Sequence, residues 1–179
     1  MRVLSIVEDS IVDGPGLRTT IFFAGCTHYC RGCHNPESWR INGGREMSID
    51  EIMSKVNQNP LNDITFSGGE PMLQIRELIQ LAKECKQINK NIWCYTGFLW
   101  EELMTTYPDE FTQLSIYLDA LVDGRFTVFL QLVRSNRLSS TTKALTRSSP
   151  VKGSTESATA LESKVVNRSQ LIFGLLRKR

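Results

Sequence analysis

The 179-residue sequence predicts an α/β fold, a partial and open (β/α) barrel of parallel strands. Short segments rich in β-branched and aromatic residues alternate with segments whose apolar residues recur at helical spacing. Each long strand-like segment also runs into a loop that contains glycine, and this alternation is typical of βα units with parallel strands. The four or five units in the sequence are too few to close an eight-stranded barrel.

The individual elements follow from local sequence. Ser48 is expected to begin a helix, because Glu51 lies three residues further on and the pair forms a capping box. The apolar residues that follow at i, i+3, i+4 and i+7 indicate one buried helix face. The sequence predicts strands at residues 2–7, 17–23, 63–67, 91–95 and 116–122, and helices after Ser48, at 78–88 and at 100–106.

A break in composition near residue 130 divides the chain. Residues 1–130 carry a net charge of −6, whereas residues 131–179 carry +8 and contain 14 Ser/Thr but one aromatic residue, Phe173. The predicted organisation is a folded domain of residues 1–130 and a basic, Ser/Thr-rich tail of residues 131–179, poorly ordered or aberrant. A frame-shifted reading would explain this tail, and a basic arm for nucleic acid is the alternative.

Several classes of protein are disfavoured by the sequence. There is no run of 18 apolar residues for a transmembrane helix, and the first residues lack the apolar core of a secretory signal. We therefore expect a cytoplasmic protein with neither a membrane nor a nucleic acid as its partner. In that compartment the five cysteines are expected to be thiols or metal ligands rather than disulfides.

Three of the cysteines, Cys26, Cys30 and Cys33, form a C-x3-C-x2-C loop after a predicted strand. Thiolates are the usual ligands of iron–sulfur clusters, and three on one short loop can bind three irons of a [4Fe–4S] cluster. The fourth iron is then open to a substrate that chelates it through an amine and a carboxylate. The alternative is a zinc site with His28 or His34 as fourth ligand, although the chain has no second C-x2-C pair.

A glycine-rich segment, Gly68-Gly69-Glu70-Pro71, follows the next predicted parallel strand. Glycines let the backbone approach a ligand and leave N–H groups free to donate, and Glu70 is a candidate acceptor for an ammonium group. Taken alone, the segment is equally consistent with a simple turn. The remaining cysteines, Cys85 and Cys94, fall at core-facing positions of a helix and a strand and are expected to be buried.

The cysteine loop and the glycine-rich segment together resemble the radical S-adenosylmethionine superfamily. Residues 13–18, DGPGLR, also resemble the D-G-P-G-x-R signature of its glycyl-radical-enzyme activases. Within that group, the chain is similar to the activases of anaerobic ribonucleoside-triphosphate reductases, which are the shortest. The resemblance covers about residues 1–126 and continues at residues 22–23, 25–26, 33–39, 95–97 and 121–126.

The resemblance implies that Cys26, Cys30 and Cys33 are catalytic and hold a [4Fe–4S] cluster. The reduced cluster would cleave S-adenosylmethionine, and the 5′-deoxyadenosyl radical would abstract a hydrogen atom. Gly32 stands where the superfamily often has an aromatic residue against the adenine, so another residue, such as His34, would stack there. The residues that the resemblance places at the S-adenosylmethionine site are Gly32, Cys33, His34, Gly68, Gly69 and Glu70.

The resemblance also implies a protein substrate. This would be the large subunit of an anaerobic ribonucleoside-triphosphate reductase, on which the chain generates a glycyl radical with electrons from a low-potential donor such as flavodoxin. Arg18 is a candidate for orienting an anionic group, and Asp123 and Arg125 are candidates for lining the entrance. The alternatives are another glycyl-radical partner, such as pyruvate formate-lyase, and a non-catalytic zinc-binding or truncated interaction protein.

Overall fold

Six strands form one sheet over residues 1–127, the part of the chain that the computed structural model describes. The order across the sheet is β3-β1-β2-β4-β5-β6. The strands are β1 (Arg2–Ser10), β2 (Arg18–Phe23), β3 (Arg45–Glu46), β4 (Asp63–Gly68), β5 (Ile92–Tyr95) and β6 (Ala120–Val122). The α-helices are α1 (Ile49–Gln58), α2 (Ile75–Gln87), α3 (Trp100–Thr106) and α4 (Pro108–Tyr117), with short 3-10 helices at Pro36–Trp39 and Pro71–Gln74.

Strands β2, β4, β5 and β6 are parallel neighbours, with Phe23 opposite Gly68 and Cys94 opposite Leu121. Helix α1 connects the first pair, α2 the second, and α3 and α4 the third. The predicted α/β class and the mostly parallel sheet are therefore confirmed. The capping box at the start of α1 is confirmed as well, because Ser48 Oγ accepts from the Glu51 N–H at 3.1 Å and Glu51 accepts from the Ser48 N–H at 2.7 Å.

The first part of the sheet differs from the all-parallel prediction. Strand β1 runs antiparallel to β2 and also to β3, a two-residue strand that the sequence analysis missed. Residues 11–17 alone connect β1 to β2, and this link is too short for the helical crossover that parallel neighbours need. The direction of β1 is therefore set by the length of its connection.

The strand predicted at residues 116–122 is wrong in its first half. Ile116 and Tyr117 belong to α4, and the strand itself begins at Ala120. Helix α4 begins at Pro108, a residue that suits the first helical turn because the N–H it lacks would have no partner there. Phe111 and Leu114 then point into the core at helical spacing.

The core lies on one face of the parallel strands, where α1, α2 and α4 pack against them. Because side chains alternate along a strand, the residues between the core positions lie on the opposite face. That second face carries Phe22, Ser67 and Tyr95 towards the ends of their strands. The buried strand residues of the core include Ile21, Phe23, Ile64, Phe66, Ile92 and Cys94.

Arg18 is fully buried at the start of β2, the edge of the sheet opposite the strand ends. Its guanidinium donates to Thr65 Oγ1 at 2.6 Å, to the Ile64 carbonyl at 2.5 Å and to the Asn91 carbonyl at 3.1 Å. It also lies 5.6 Å from the ring centroid of Trp93. The interpretation of Arg18 as an anion-orienting residue is therefore wrong, because its donors bind protein acceptors inside the sheet.

The predicted tail, residues 131–179, lies outside the described residues, and the domain boundary near residue 130 stays a prediction. Within residues 1–127, no helix is long and apolar enough to cross a membrane.

We expect Arg18→Met to lower the free energy of unfolding by about 3 kcal/mol, because it leaves buried acceptors without a donor. Arg76 is the matched control, since its ion pair with Glu110 has the arginine side chain 83% exposed. Arg76→Met should cost roughly 0.5 kcal/mol or less. Urea unfolding of the full chain, followed by circular dichroism, measures both. Equal losses in the two variants would contradict the structural role of Arg18.

Candidate active site

The loops that follow β2, β4, β5 and β6 meet at one edge of the sheet and enclose an open cavity of about 230 Å³. Parallel sheets place their ligand sites at this edge, because the loops after neighbouring strands converge there. Cys26, Cys30 and Cys33 all line the cavity, and Gly68 and Gly69 line it from the neighbouring loop. The fold thus brings the cysteine loop and the glycine-rich segment to the same place.

The five cysteines fall into two groups. Cys26 is buried at the cavity wall, whereas Cys30 and Cys33 are half-buried there. Cys85 and Cys94 are fully buried in the core, which confirms the expectation for both. Burial raises the pKa of Cys85 to about 12 and raises the pKa of Cys94 well above its ordinary value. Neither core thiol is therefore available as a thiolate ligand near neutral pH.

The thiol of Cys26 has a distinct electrostatic environment. Its pKa is raised, first by burial and further by the negative charge of Glu70. The nearby backbone N–H of His28 acts in the opposite direction and lowers this pKa.

The glycines of the second loop are required by close packing of the chain on itself. Gly68 has a φ of 106°, and a Cβ there would lie 2.6 Å from the Phe23 carbonyl oxygen. A Cβ on Gly69 would overlap the Gly25 carbonyl group. The N–H groups of Gly69 and Glu70 donate to the carbonyls of Phe23 and Gly25 at 2.8 and 2.7 Å. The expectation that these N–H groups are free for a ligand is therefore wrong.

Glu70 lies behind the cavity wall rather than in it. Its carboxylate is fully buried and accepts four hydrogen bonds. Oε1 accepts from Thr96 Oγ1 at 2.7 Å and from the Met72 N–H at 3.1 Å, and Oε2 accepts from the Gly97 N–H at 2.7 Å and from His28 Nε2 at 2.8 Å. The expectation that Glu70 accepts from a ligand's ammonium group is corrected, because protein donors already occupy both of its oxygens.

His28 is unsuited to bind a metal in this arrangement. Its Nε2 contacts Glu70, and its Nδ1 accepts from Arg125 Nε at 3.4 Å, so both ring nitrogens are engaged. Among residues 1–127, no three His, Cys, Asp or Glu side chains converge on a point where a single metal ion could sit. A mononuclear zinc ion needs such convergence, whereas a cubane cluster binds each thiolate through a different iron.

The other sequence-derived candidates are distributed around the cavity. His34 lines it, with its ring 4.7 Å from the ring of Phe126. Gly32 is exposed and lies outside the cavity wall. Asp123 is buried and accepts from the first N–H of α3 at 3.1 Å, so it does not line an entrance. Arg125 is exposed next to His28, where it also pairs with Glu102 at 3.0 Å.

Much of the wall was not identified from the sequence. These residues share a position: they lie at the carboxyl ends of the parallel strands or in the loops that follow those strands. The alternation of side chains along β2, β4 and β5 would have been sufficient to find Phe22, Ser67 and Tyr95. The lining residues that sequence reasoning did not assign to the S-adenosylmethionine site are Phe22, His28, Asn35, Ser38, Trp39, Ser67, Tyr95, Thr96, Gly97 and Phe126.

Comparison with known proteins identifies similar sequences. A family model described as a 4Fe-4S single cluster domain matches residues 12–145, past the predicted boundary near residue 130. The anaerobic ribonucleoside-triphosphate reductase-activating protein of Haemophilus influenzae is 32% identical over 137 residues, which cover 70% of this chain and 84% of that protein. The protein of the same name from Vibrio cholerae is 36% identical over 128 residues, 65% of this chain and 78% of that protein.

A second kind of relative matches a shorter stretch. The pyruvate formate-lyase-activating enzyme of Clostridium pasteurianum is 44% identical over 92 residues. The matched stretch is 48% of this chain but 39% of that enzyme, so the chain spans well under half of this longer relative.

Alkylation should separate the two groups of cysteines. In the reduced, cluster-free full chain at pH 8.5, we expect iodoacetamide to modify Cys30 and Cys33 first and Cys26 more slowly, because burial raises its pKa. Cys85 and Cys94 should react more than about a hundredfold slower until the chain is unfolded. Mass spectrometry of tryptic peptides measures the rates. Modification of either core cysteine at the rate of Cys30 would show that the assigned packing is wrong.

Proposed function

The chain belongs to the 4Fe-4S single cluster domain family and to the family of anaerobic ribonucleoside-triphosphate reductase-activating proteins, and we propose that it generates a glycyl radical on such a reductase. It is a radical S-adenosylmethionine enzyme that uses a [4Fe–4S] cluster. The observation on which the proposal rests is that Cys26, Cys30 and Cys33 line the same cavity as Gly68 and Gly69.

The residues present fit a cluster with one open iron. Three soft thiol ligands line one cavity, and the other two cysteines of the chain are buried elsewhere in the core. Three thiolates leave one iron of a cubane without a protein ligand. We therefore assign Cys26, Cys30 and Cys33 as the cluster ligands, with no fourth protein ligand.

S-Adenosylmethionine is assigned to the space beside these thiols. Cys33, His34, Gly68 and Gly69 line that space, and their small or flat side chains leave room for a ligand. Gly32 lies outside this wall, and Glu70 supports the wall from behind. When bound, the reduced cluster and S-adenosylmethionine together supply the oxidant that removes a hydrogen atom from a glycine of the partner.

The open side of the cavity suits a protein substrate. We assign the fold as a partial, open barrel, in which α1, α2 and α4 cover one face of the sheet and the ends of the parallel strands surround the cavity. A loop of a partner protein can enter such a mouth, whereas a closed barrel would exclude it. The chain's own part in the reaction is to bind the cofactors, to orient them towards the mouth and to shield them with Phe22, Trp39 and Phe126.

The proposal includes the electron donor that reduces the cluster and the cytoplasmic location of the protein. We assign a low-potential donor such as flavodoxin as the source of the electron that reduces the cluster. All five cysteines are free thiols within the described residues, which supports a reducing cytoplasmic setting.

Pyruvate formate-lyase is the second candidate partner, because the activating enzyme from Clostridium pasteurianum has 44% identity over its matched stretch. The reductase is favoured by coverage: the alignment spans 84% of the Haemophilus influenzae protein but 39% of the pyruvate formate-lyase activase.

Anaerobic reconstitution of the full chain with iron and sulfide should yield four irons and four sulfides per chain. Cys26→Ala, Cys30→Ala and Cys33→Ala should each abolish the cluster, whereas Cys85→Ala and Cys94→Ala should retain it. Iron and sulfide analysis with EPR of the dithionite-reduced protein measures this. One zinc per chain without labile sulfide would refute the assignment.

The partner is tested by incubating the reconstituted chain with S-adenosylmethionine, reduced flavodoxin and either the anaerobic reductase or pyruvate formate-lyase. We expect the EPR doublet of a glycyl radical on the reductase and at most about a hundredth of that signal on the lyase. The Cys30→Ala variant is the control and should give no radical. A stronger signal on the lyase would reverse the choice of partner.

A further inference from the structure

His28 lies in the middle of the cysteine loop but is bound to three other loops of the site. Its side chain is 6% exposed. Nε2 lies 2.8 Å from Glu70 Oε2 in the loop after β4, and Nδ1 lies 3.4 Å from Arg125 Nε in the segment after β6. Its ring packs edge-on against Phe98 after β5, with centroids 4.6 Å apart. The histidine therefore connects the loop of Cys26 and Cys30 to the segments that follow β4, β5 and β6.

The hydrogen-bond network assigns the form of the imidazole. Glu70 Oε2 is an acceptor, so Nε2 carries the proton, and Nδ1 then accepts from the guanidinium of Arg125. Both contacts are satisfied by one tautomer of a neutral histidine. The imidazole is thus fixed in position and in orientation without a metal.

Gly97 provides the space in which this ring sits. A Cβ at Gly97 would overlap His28 Cδ2 and would lie 2.7 Å from Nε2. Gly97 does not have a positive φ, so its backbone conformation does not require glycine. The small residue is explained by the imidazole that lies against it.

The backbone of His28 lies between two of the three proposed cluster ligands, Cys26 and Cys30, in the same loop. The orientation and surroundings of the ligand sulfurs help to set the potential of an iron–sulfur cluster. A contact that fixes the side chain of His28 therefore also fixes the backbone that presents these two thiols.

We propose that His28 is a positioning residue for the cluster: its side chain, held by Glu70 and Arg125 in the space over Gly97, fixes the loop backbone between Cys26 and Cys30 and so keeps the thiolates oriented towards the S-adenosylmethionine loop. The inference rests on the proposed function, because it requires the cluster. His28 itself binds neither iron nor S-adenosylmethionine.

The experiment compares five reconstituted full-length variants with the parent chain. His28→Ala removes the imidazole, and His28→Gln keeps an N–H donor for Glu70 at similar reach. Gly97→Ala displaces the imidazole while leaving the cysteine loop unchanged in sequence. The double variant, His28→Ala with Gly97→Ala, tests whether the two positions act through one contact. Asn62→Ala is the control: it removes a buried side chain that hydrogen-bonds to Asp9 and Thr19, at the opposite edge of the sheet.

Two quantities are measured for each protein. The first is the midpoint potential of the cluster without S-adenosylmethionine, from an EPR-monitored dithionite titration. The second is the affinity for S-adenosylmethionine, from its effect on the EPR signal of the reduced cluster. We expect a shifted potential and about tenfold weaker affinity in both His28→Ala and Gly97→Ala, because each change releases the loop that holds the thiolates.

His28→Gln should stay close to the parent, and the double variant should match His28→Ala, because the second change then fills space already vacated. Asn62→Ala should lose stability and keep the parental potential. If His28→Ala does not hold a cluster, Gly97→Ala and its comparison with Asn62→Ala decide the question.

An unchanged potential and affinity in His28→Ala, or additive losses in the double variant, would overturn the inference. These outcomes differ from those expected if the proposed function were wrong. If it were wrong, the parent chain itself would form no [4Fe–4S] cluster, or its EPR signal would not respond to S-adenosylmethionine.

Discussion

The buried carboxylate of Glu70 is the interaction on which the edge of the sheet depends. A carboxylate without water costs several kcal/mol unless donors surround it. Here the donors are Thr96 and Gly97 after β5, Met72 in the 3-10 helix and His28 in the cysteine loop. These donors come from three separate segments, so satisfying one buried charge fixes the relative positions of all three. The cavity therefore has its shape before any ligand enters.

The close approach of these segments explains the glycines at the strand ends. Gly68 and Gly69 touch the backbone that leads into the cysteine loop, and Gly97 touches the ring of His28. A side chain at any of the three would separate loops that Glu70 holds together. The glycine-rich motif looks in sequence like a ligand-binding loop, but its first task is packing the chain against itself. The ligand-facing surface is a consequence of that packing.

Local signals predicted much of the fold. The alternation of strands and helices, the capping box at Ser48 and the burial of Cys85 and Cys94 all depend on neighbouring residues, and the structure confirms them. The antiparallel β1 was also accessible, because seven residues cannot form a helical crossover. The role of Arg18 was not accessible, since three of its acceptors lie 46 to 73 residues away in sequence. The same is true of Glu70, whose motif suggests a ligand and whose partners are visible only in three dimensions.

The charges around the cavity restrict how a ligand can be held there. Within residues 1–127, no Asp, Glu, Lys or Arg lines the cavity wall. The amino acid part of S-adenosylmethionine carries an ammonium and a carboxylate, and neither would meet a charged side chain. In the proposed site, the open iron is the remaining group able to bind both, and chelation by amine and carboxylate would do so at one point. The wall then needs to supply shape rather than charge, which is what its glycines, serines and aromatic rings provide.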